Sequence, residues 1–179
     1  MNIVGGGSDD CSHLEIERVF LLRAMPEIPA GARELCIEQG YLPSSVARSD
    51  SLLGGRLRRT TRPDGMTVFH HTVKRGSGMI REEQEREISR EEFEQHWPRT
   101  DLVRIVKTRY EVRVGDLVWQ VDAFDRPPGL VLAEIELPSA DARILIPEWV
   151  IRVLAREVTD ESAYTNRALA MRLAGVADW

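Results

Sequence analysis

"HLEIERVF", residues 13–20, alternates polar and apolar side chains along its length. Successive side chains point to opposite faces of a strand, so Glu15 and Glu17 share one face while Leu14 and Ile16 share the other. One polar face and one apolar face are typical of an antiparallel strand that packs on one side only. The stretch therefore predicts a β-strand that carries two carboxylates on its polar side.

Similar strand-like segments recur along most of the chain, separated by short turn signals. The tetrapeptide "RPDG" at 62–65 is a good reverse turn, because proline restricts φ and glycine accepts positive φ. "VGD" at 114–116 and "RPPG" at 126–129 separate later segments in the same way. Connections this short favour antiparallel neighbours, since parallel strands need a crossover. The predicted strands are 13–22, 33–42, 55–61, 66–75, 79–88, 102–114, 117–124 and 129–138.

Helical signals are fewer. Ser89 and Glu92 have the spacing of a capping box, Pro147 is tolerated in a first helical turn, and Gly175 is a typical C-terminal cap. The secondary structure of residues 80–97 is ambiguous, because this strand-like segment is rich in strong helix formers. Propensity alone slightly favours one continuous helix there over a strand followed by a helix.

The composition is that of a soluble globular protein. Hydrophobic residues make up 42% and charged residues 30% of the 179 residues, and this length is typical of one domain. The opening "MNIVGGGSDDCS" is rich in glycine, serine and aspartate, which predicts a flexible lead over 1–12. We expect a single domain over 13–179.

Charge and cysteine content argue against several classes of protein. A net charge of -5 and a pI near 5.5 argue against a protein that coats nucleic acid. Cys11 and Cys36 lack CxxC spacing, so neither a disulfide framework nor a zinc site is predicted. No apolar run reaches the ~18 residues of a membrane span, and no signal peptide is recognisable. We therefore expect a cytoplasmic protein without nucleic-acid or membrane partners, either a monomer or a homodimer.

The polar positions of the predicted strands are consistently ionic. Residues two apart share a strand face, so each of these pairs or rows would present its charges together. They are Glu15 with Glu17, Arg56 with Arg58, Thr72 with Lys74, Lys107 with Arg109, Glu134 with Glu136, and the row Arg81, Glu83, Glu85 and Glu87. A solvated sheet face explains the alternation, but it does not explain why charged residues are used where Ser, Thr, Asn or Gln would serve.

The segment "LAEIEL" at 132–137 sets two carboxylates into the most hydrophobic predicted strand. Charges in such a strand need partners, because unpaired burial is costly. A closed antiparallel barrel would let these strands converge on a hydrated, charged interior while helices cover the outside. Carboxylates in that interior suit Mg2+ or Mn2+, and arginine and lysine suit a polyanion. The pattern thus indicates a metal-bound polyphosphate.

A set of short segments follows in a fixed order. They are "EIER" at 15–18, "QGYL" at 39–42, "RLR" at 56–58, Lys74 in "TVKRG", "REEQERE" at 81–87, "KTRY" at 107–110, "WQVD" at 119–122, "LAEIEL" at 132–137, "REVT" at 156–159 and "YTN" at 164–166. In their number and order these segments resemble the CYTH family, also called triphosphate tunnel metalloenzymes. The resemblance runs from residue 13 to about 170.

The resemblance implies a fold that is α+β and mainly β, with an eight-stranded antiparallel closed β-barrel, or tunnel, and flanking helices. It implies that 79–88 is a strand and that the helix begins after Ser89. Family members bind triphosphate compounds with divalent metal and usually hydrolyse them, although some are adenylate cyclases.

The resemblance also implies roles for the ionic residues. The metal-site carboxylates would be Glu15, Glu17, Asp122, Glu134 and Glu136. The cations that bind phosphate would be Arg56, Arg58, Lys74, Arg81, Lys107 and Arg109. The residues implied in catalysis are Lys74, Arg58 and Glu85. Here Lys74 would bind or polarise a phosphate, Arg58 would hold developing negative charge, and Glu85 would contribute to the metal site.

One position departs from the family pattern. The signature ExExK would place a lysine where this chain has Val19. Val19 shares the face of Glu15 and Glu17, whereas Arg18 points the other way and cannot replace an inward ammonium. Losing one charge-assisted phosphate contact costs about 1.5–3 kcal/mol unless another cation compensates.

The leading hypothesis is metal-dependent hydrolysis of a triphosphate compound, with Mg2+ or Mn2+ as the cofactor. Inorganic triphosphate is the favoured substrate, because no base-recognition motif is evident. The alternative is a binding module for polyphosphate or phosphorylated metabolites that has little or no turnover, and Val19 motivates it. Adenylate cyclase activity and a purely structural charged sheet rank below these two.

Overall fold

A computed structural model of the chain describes residues 11–43, 54–75 and 80–176, with side chains omitted at 11–15, 74–75 and 80–82. The predicted flexible lead over 1–12 therefore falls mostly outside the described residues. Its last two residues, Cys11 and Ser12, already belong to the first strand.

The described residues include nine β-strands. They are β1 Cys11–Leu22, β2 Arg33–Tyr41, β3 Arg56–Thr61, β4 Thr67–Arg75, β5 Ile80–Glu87, β6 Arg104–Val114, β7 Leu117–Arg126, β8 Val131–Glu136 and β9 Leu154–Glu157. The eight predicted strands are confirmed, and their ends differ from the prediction by at most two residues. The predicted turn at 62–65 is also present, with the Gly65 amide donating to the Arg62 carbonyl and with Gly65 at φ 83°.

The ninth strand, β9, was not predicted from the sequence. It is four residues long and pairs with Phe20–Leu22 at the end of β1. So short a segment shows little alternation, and its extended conformation depends on a partner that lies far away in the chain. Its position became apparent only in the folded structure.

Three α-helices accompany the sheet in the described ranges: α1 Arg90–His96, α2 Glu148–Ile151 and α3 Asn166–Ala174. The Ser89 hydroxyl caps α1 by accepting from the Glu92 amide at 3.1 Å, as predicted. Gly175 ends α3 in the left-handed conformation, with φ 67°, also as predicted. Of the helices in the described ranges, none has the length and apolar character that crossing a bilayer requires.

Residues 80–97 divide into β5 and α1, so the single helix favoured by propensity is wrong. β5 pairs on one side with β4, from His70 opposite Glu87 to Arg75 opposite Glu82. It also pairs with β1. Hydrogen bonds to two neighbouring strands override the weak local preference for helix.

All strand pairs are antiparallel, and they join the strands in the order β5-β4-β3-β2-β6-β7-β8-β1-β9. β1 makes one further pairing, in which Cys11–Ile16 lie opposite residues 80–85 of β5. The predicted fold class, mainly β and antiparallel with few helices, is confirmed.

Two apolar clusters lie on opposite faces of the sheet, and neighbouring residues of β1 belong to one cluster each. Phe20 packs against Trp119, with ring centroids 5.6 Å apart, in the cluster that includes Val150 of α2. Val19 belongs to the other cluster, which includes Leu169 of α3. Because Glu17 and Val19 are two positions apart, α3 covers the sheet face that also carries Glu17.

Candidate functional site

The strand register gathers the predicted ionic residues on one face of the sheet. Residues directly opposite each other in an antiparallel pair point to the same side. Such pairs are Glu17 with Glu136, Val19 with Glu134, Arg109 with Asp122, Arg56 with Thr72, and Thr72 with Glu85. The face that α3 covers is therefore the charged face.

Five side chains from β3, β4 and β5 form what we call the arginine cluster: Arg56, Arg58, Thr72, Glu83 and Glu85. Oε2 of Glu85 accepts a hydrogen bond from Thr72 Oγ1 at 2.6 Å. The same oxygen accepts from Nη2 of Arg56 and from Nη2 of Arg58, each at 3.2 Å. Nη2 of Arg56 also lies 3.5 Å from Oε1 of Glu83. One carboxylate oxygen thus holds two guanidinium groups side by side.

Both arginines of this cluster have a buried donor without a partner. The Nε atoms of Arg56 and Arg58 are buried and have no hydrogen-bond partner among the described residues. An unsatisfied buried donor costs about 1–3 kcal/mol, so two such atoms on neighbouring side chains call for an explanation. Guanidinium N–H groups match the oxygens of a phosphate in number and geometry. The arginine cluster is therefore suited to an anionic ligand.

A second group of charges, which we call the ion-pair network, joins Lys107, Arg109, Asp122 and Glu134 across β6, β7 and β8. Asp122 is fully buried, and its two oxygens accept from Nε and Nη2 of Arg109, both at 2.6 Å. Lys107 Nζ also donates to Oδ2 of Asp122. Nη2 of Arg109 donates in addition to Oε2 of Glu134 at 2.7 Å. Every charge of the network thus has an opposite partner.

The network keeps Asp122 ionised. Burial raises the pKa of Asp122, but Arg109 and Lys107 outweigh burial and hold that pKa at about 2. Burial also lowers the pKa of Lys107, against the attraction of Asp122. The two oxygens of Asp122 are thus occupied by cations that would otherwise be buried without their main counter-charge.

A cavity of about 490 Å³ lies on the charged face. Its wall includes the carboxylates of Glu17 and Glu134, the guanidinium of Arg56 and the apolar side chain of Val19. Residues 164–167, at the start of α3, also line it. Its volume is in the range of small-molecule sites, and its wall carries both signs of charge. It can hold a small anion together with a cation.

Comparison with known proteins identifies the family of the chain. No family model matches it. The chain is 35% identical over 163 residues to an inorganic triphosphatase of Nitrosomonas europaea, a match that covers 89% of this chain and 98% of the relative. The chain belongs to the CYTH family, the triphosphate tunnel metalloenzymes.

Other relatives of this CYTH protein support the assignment. It is 32% identical to the inorganic triphosphatase NE1496 in its crystal structure, with a TM-score of 0.57 over 88% of this chain and 97% of that chain. An inorganic triphosphatase of Acetivibrio thermocellus is 41% identical over 66 residues, which are 36% of this chain and 40% of the relative. A Bacillus halodurans crystal structure, 12% identical, shares the fold alone, with a TM-score of 0.50 over 79% of this chain and 97% of that chain. The family resemblance found in the sequence is confirmed.

The predicted site residues of this CYTH protein do not all have the same surroundings. Glu17, Glu134 and Arg56 line the cavity. Arg58 and Glu85 lie beside Arg56 in the arginine cluster. The structure brings these residues, which come from four strands, together on the charged face.

Three predicted residues have a different environment. Asp122 was predicted as a metal ligand, and Lys107 and Arg109 as cations that bind phosphate. In the structure they pair with one another, and only 2% of the Lys107 side chain is exposed. Cations held by a buried carboxylate are already neutralised, which argues against direct contact of these three residues with a ligand.

For the remaining predicted residues the structure gives either a position at the surface or a backbone register. Glu136 is exposed and lies directly opposite Glu17. The side chains of Glu15, Lys74 and Arg81 fall outside the described part of the chain. Their backbone register puts Glu15 opposite Arg81 and Lys74 opposite Glu83.

Tyr41 and Arg167 are among the wall residues that were not predicted as site residues. Gln39 Nε2 donates to the Tyr41 hydroxyl at 2.8 Å. Burial raises the pKa of Tyr41 to about 12, with Arg56 opposing, so the phenol is neutral at physiological pH. The available signal was their position, because Tyr41 lies within "QGYL" and Arg167 directly follows "YTN", two segments that carried the family resemblance.

The acidic residues of the wall fit a divalent cation. Among the described residues, no three of His, Cys, Asp and Glu lie close enough together to form a metal site by themselves. Magnesium, however, is often held by one or two carboxylates together with substrate phosphates and water. Glu17 faces Glu136 across the strand pair and shares the cavity wall with Glu134. Like charges directly opposite each other are destabilising, and a divalent cation would offset that repulsion.

Proposed function

We propose that this CYTH protein is a divalent-metal-dependent triphosphatase whose substrate is inorganic triphosphate. One observation carries the proposal: a single cavity wall combines the carboxylates of Glu17 and Glu134 with the guanidinium of Arg56. The relative that matches nearly the whole chain is an inorganic triphosphatase, which supports the same substrate. The reaction would convert triphosphate and water into pyrophosphate and phosphate.

The proposal includes a closed β-tunnel around the site. The strand order runs from β5 to β1, and the additional pairing of β1 with β5 supports a ring of the eight predicted strands. The charged face would then be the inner face, which Glu17 and Arg56 share. An enclosed site excludes bulk water and so strengthens the interaction of its charges with phosphate.

The metal would be Mg2+ or Mn2+, held by Glu17 and Glu134 with Glu15 and Glu136 as further oxygen ligands. CYTH proteins depend on divalent metal in general. When bound, such an ion supplies neutralisation of phosphate charge and activation of water. Asp122 contributes indirectly in this proposal, because it holds the Arg109 side chain that also contacts Glu134.

The cations would bind and orient the phosphates. Arg56 and Arg58 present unpartnered Nε donors, and Lys74, two positions after Thr72 on β4, would lie beside them. In the proposed reaction Arg58 and Lys74 hold the developing negative charge. Glu85 keeps both guanidinium groups in place through its Oε2 atom, and is therefore a positioning residue. Arg81, opposite Glu15 in the register, is a further candidate to bind phosphate.

A phosphate-release assay tests the proposal. Purified protein with Mg2+ or Mn2+ should release phosphate from inorganic triphosphate, and Glu17→Gln should slow release roughly tenfold or more by removing a metal ligand. Glu148→Gln is the matched control, because Glu148 is exposed on α2, away from the cavity wall, and pairs with Arg152. Release no faster than a protein-free blank, with several triphosphates and both metals, would exclude the activity.

A second candidate is a binding module for polyphosphate or phosphorylated metabolites. The observation that favours it is Val19, which presents an apolar side chain to the cavity where the family signature has lysine. Metal-dependent stabilisation by triphosphate without phosphate release would favour the module. Cyclic nucleotide formed from ATP would instead favour the adenylate cyclase considered from the sequence.

We also propose that residues 13–179 form one domain that works in the cytoplasm as a monomer or a homodimer, without nucleic-acid or membrane partners. The net charge of -5 supports the absence of a nucleic-acid partner. Light scattering after size-exclusion chromatography would distinguish monomer from dimer. Retention of the protein on a DNA-cellulose column at low salt would contradict the proposed absence of a nucleic-acid partner.

A further inference from the structure

Val19 leaves the acidic side of the cavity without a cation from β1. Its side chain is in the wall, 9% exposed, and lies directly opposite Glu134 in the strand register. Glu17, two positions earlier, is in the same wall. A ligand with several negative charges that approaches these carboxylates needs a positive group nearby, and residue 19 does not provide one.

Arg167 provides a positive group in the same wall from another element. It is the second residue of α3, whose start lines the same cavity as Val19. The charges of Arg56, Arg167 and Glu134 all act on the pKa of the Tyr41 phenol, which agrees with their positions in one cavity wall. Arg167 therefore lies near the proposed ligand, although 148 positions separate it from Val19.

The start of α3 is held firmly in place. Asn166 Oδ1 accepts from Lys107 Nζ at 3.0 Å, which ties the helix to the ion-pair network. Thr165 caps the helix, because its Oγ1 accepts from the Ala168 amide at 3.2 Å. Arg167 directly follows these two anchored residues, so its backbone is fixed at the edge of the cavity.

Arg167 has no evident role in stabilising the fold. Among the described residues, no hydrogen bond or ion pair holds its side chain. A cation in the first turn of a helix is also unfavourable, because it lies near the positive end of the helix dipole. The favourable position for an arginine on this helix is the last turn, where Arg172 lies. The position of Arg167 is thus better explained by a ligand than by stability.

We propose that Arg167, from α3, binds the oligophosphate anion in place of the lysine that Val19 has replaced on β1. The inference rests on the proposed function, since it concerns the ligand of the same cavity. Arg167 becomes a substrate-binding residue in the same wall as Arg56, whose Nε is unpartnered among the described residues. The cationic side of the cavity is thus restored by a different element of the fold.

The test is a titration of the full chain with inorganic triphosphate in the presence of Mg2+, followed by steady-state kinetics. Arg167→Gln should raise the dissociation constant and KM roughly tenfold or more, as expected for a lost charge-assisted contact. Arg167→Lys should stay close to the wild type. Arg172→Gln is the matched control, because it removes the same charge from the exposed end of the same helix, and it should leave both constants within about twofold of the wild type. The melting temperature of Arg167→Gln without ligand should not fall.

The double variant Val19→Lys/Arg167→Gln tests whether a cation at position 19 can compensate for the one lost at position 167. It should recover most of the affinity that Arg167→Gln loses. An Arg167→Gln protein that binds triphosphate as well as the wild type, an equal loss in Arg172→Gln, or a folded double variant that recovers nothing would each overturn the inference. If the double variant does not fold, the contrast between Arg167→Gln and Arg167→Lys decides.

Separate measurements of triphosphate binding and of phosphate release distinguish failure of this inference from failure of the proposed function. A wild type that binds triphosphate but releases no phosphate removes the proposed activity, while the Arg167 variants still test the inference by titration. A wild type that hydrolyses triphosphate with the same KM as Arg167→Gln keeps the activity and removes the inference. A wild type that shows no binding overturns both.

Discussion

The arginine cluster and the ion-pair network look alike in the sequence but differ in the fold. Each begins with two cations spaced two apart, Arg56 with Arg58 and Lys107 with Arg109. In the network, Asp122 is fully buried and pairs with both cations. In the cluster, both arginines share one oxygen of Glu85, and each keeps an unpartnered Nε. The comparison separates charges that hold the structure together from charges that can still bind a ligand.

The largest expected effect comes from removing the central acid of the network. Asp122→Asn leaves Lys107 and Arg109 buried without their main counter-charge, and should lower the free energy of unfolding by about 3–5 kcal/mol. Urea unfolding followed by circular dichroism measures this change. The control is Glu148→Gln, which removes an exposed pair with Arg152 and should leave the free energy of unfolding nearly unchanged. Similar costs for the two variants would contradict the structural role of the network.

The pH dependence of stability gives the next largest effect. The pKa of Asp122 in the folded protein, about 2, is below its ordinary value of 3.8, so the ionised form favours the folded state. Its contribution should be fully present above about pH 4 and should be lost as the pH falls towards 2, a change of about 2 kcal/mol. Urea midpoints measured across this range should show the decline, and Asp122→Asn should show a correspondingly smaller one. Parallel declines in the two proteins would contradict the assignment to Asp122.

The smallest of the three expected free-energy changes is in the binding of triphosphate. Arg58→Gln should weaken triphosphate binding roughly tenfold, about 1.4 kcal/mol, because one guanidinium of the cluster is lost. Its effect on folding should be small, since Glu85 keeps Arg56 and Thr72 as partners. The matched control is the next residue, Arg59→Gln, which points to the other face and pairs with Glu38. Equal binding by the Arg58→Gln and Arg59→Gln proteins would mean that the cluster does not contact the anion.

Much of the fold could be predicted because strand alternation and turn residues are local signals. The predicted positions of β1 to β8 and the cap at Ser89 depend on neighbouring residues alone. The helix that propensity favoured over 80–97 failed because β5 is held by two strands that lie elsewhere in the sequence. β9 was missed for the same reason, since its only signal is its pairing with β1.

The candidate site was predicted in part. Alternation put residues of one strand on a shared face, and the structure then brings Glu17, Arg56 and Glu134 from three strands into one cavity wall. Alternation could not show that Asp122 would neutralise Lys107 and Arg109, because that pairing depends on the register between β6 and β7 and on burial. Nor could it place Arg167 in the same cavity wall as Val19, because a helix docks by packing its apolar side, here through Leu169, against distant strands.

The sequence by itself determined which residues form strands, which of them share a face, and which family the chain resembles, because these depend on local chemistry and on order along the chain. Only the tertiary structure decided which charges neutralise one another and which line the cavity. Desolvation and Coulomb interactions depend on distances and burial between residues far apart in the chain, and the packing of strands and helices sets those distances.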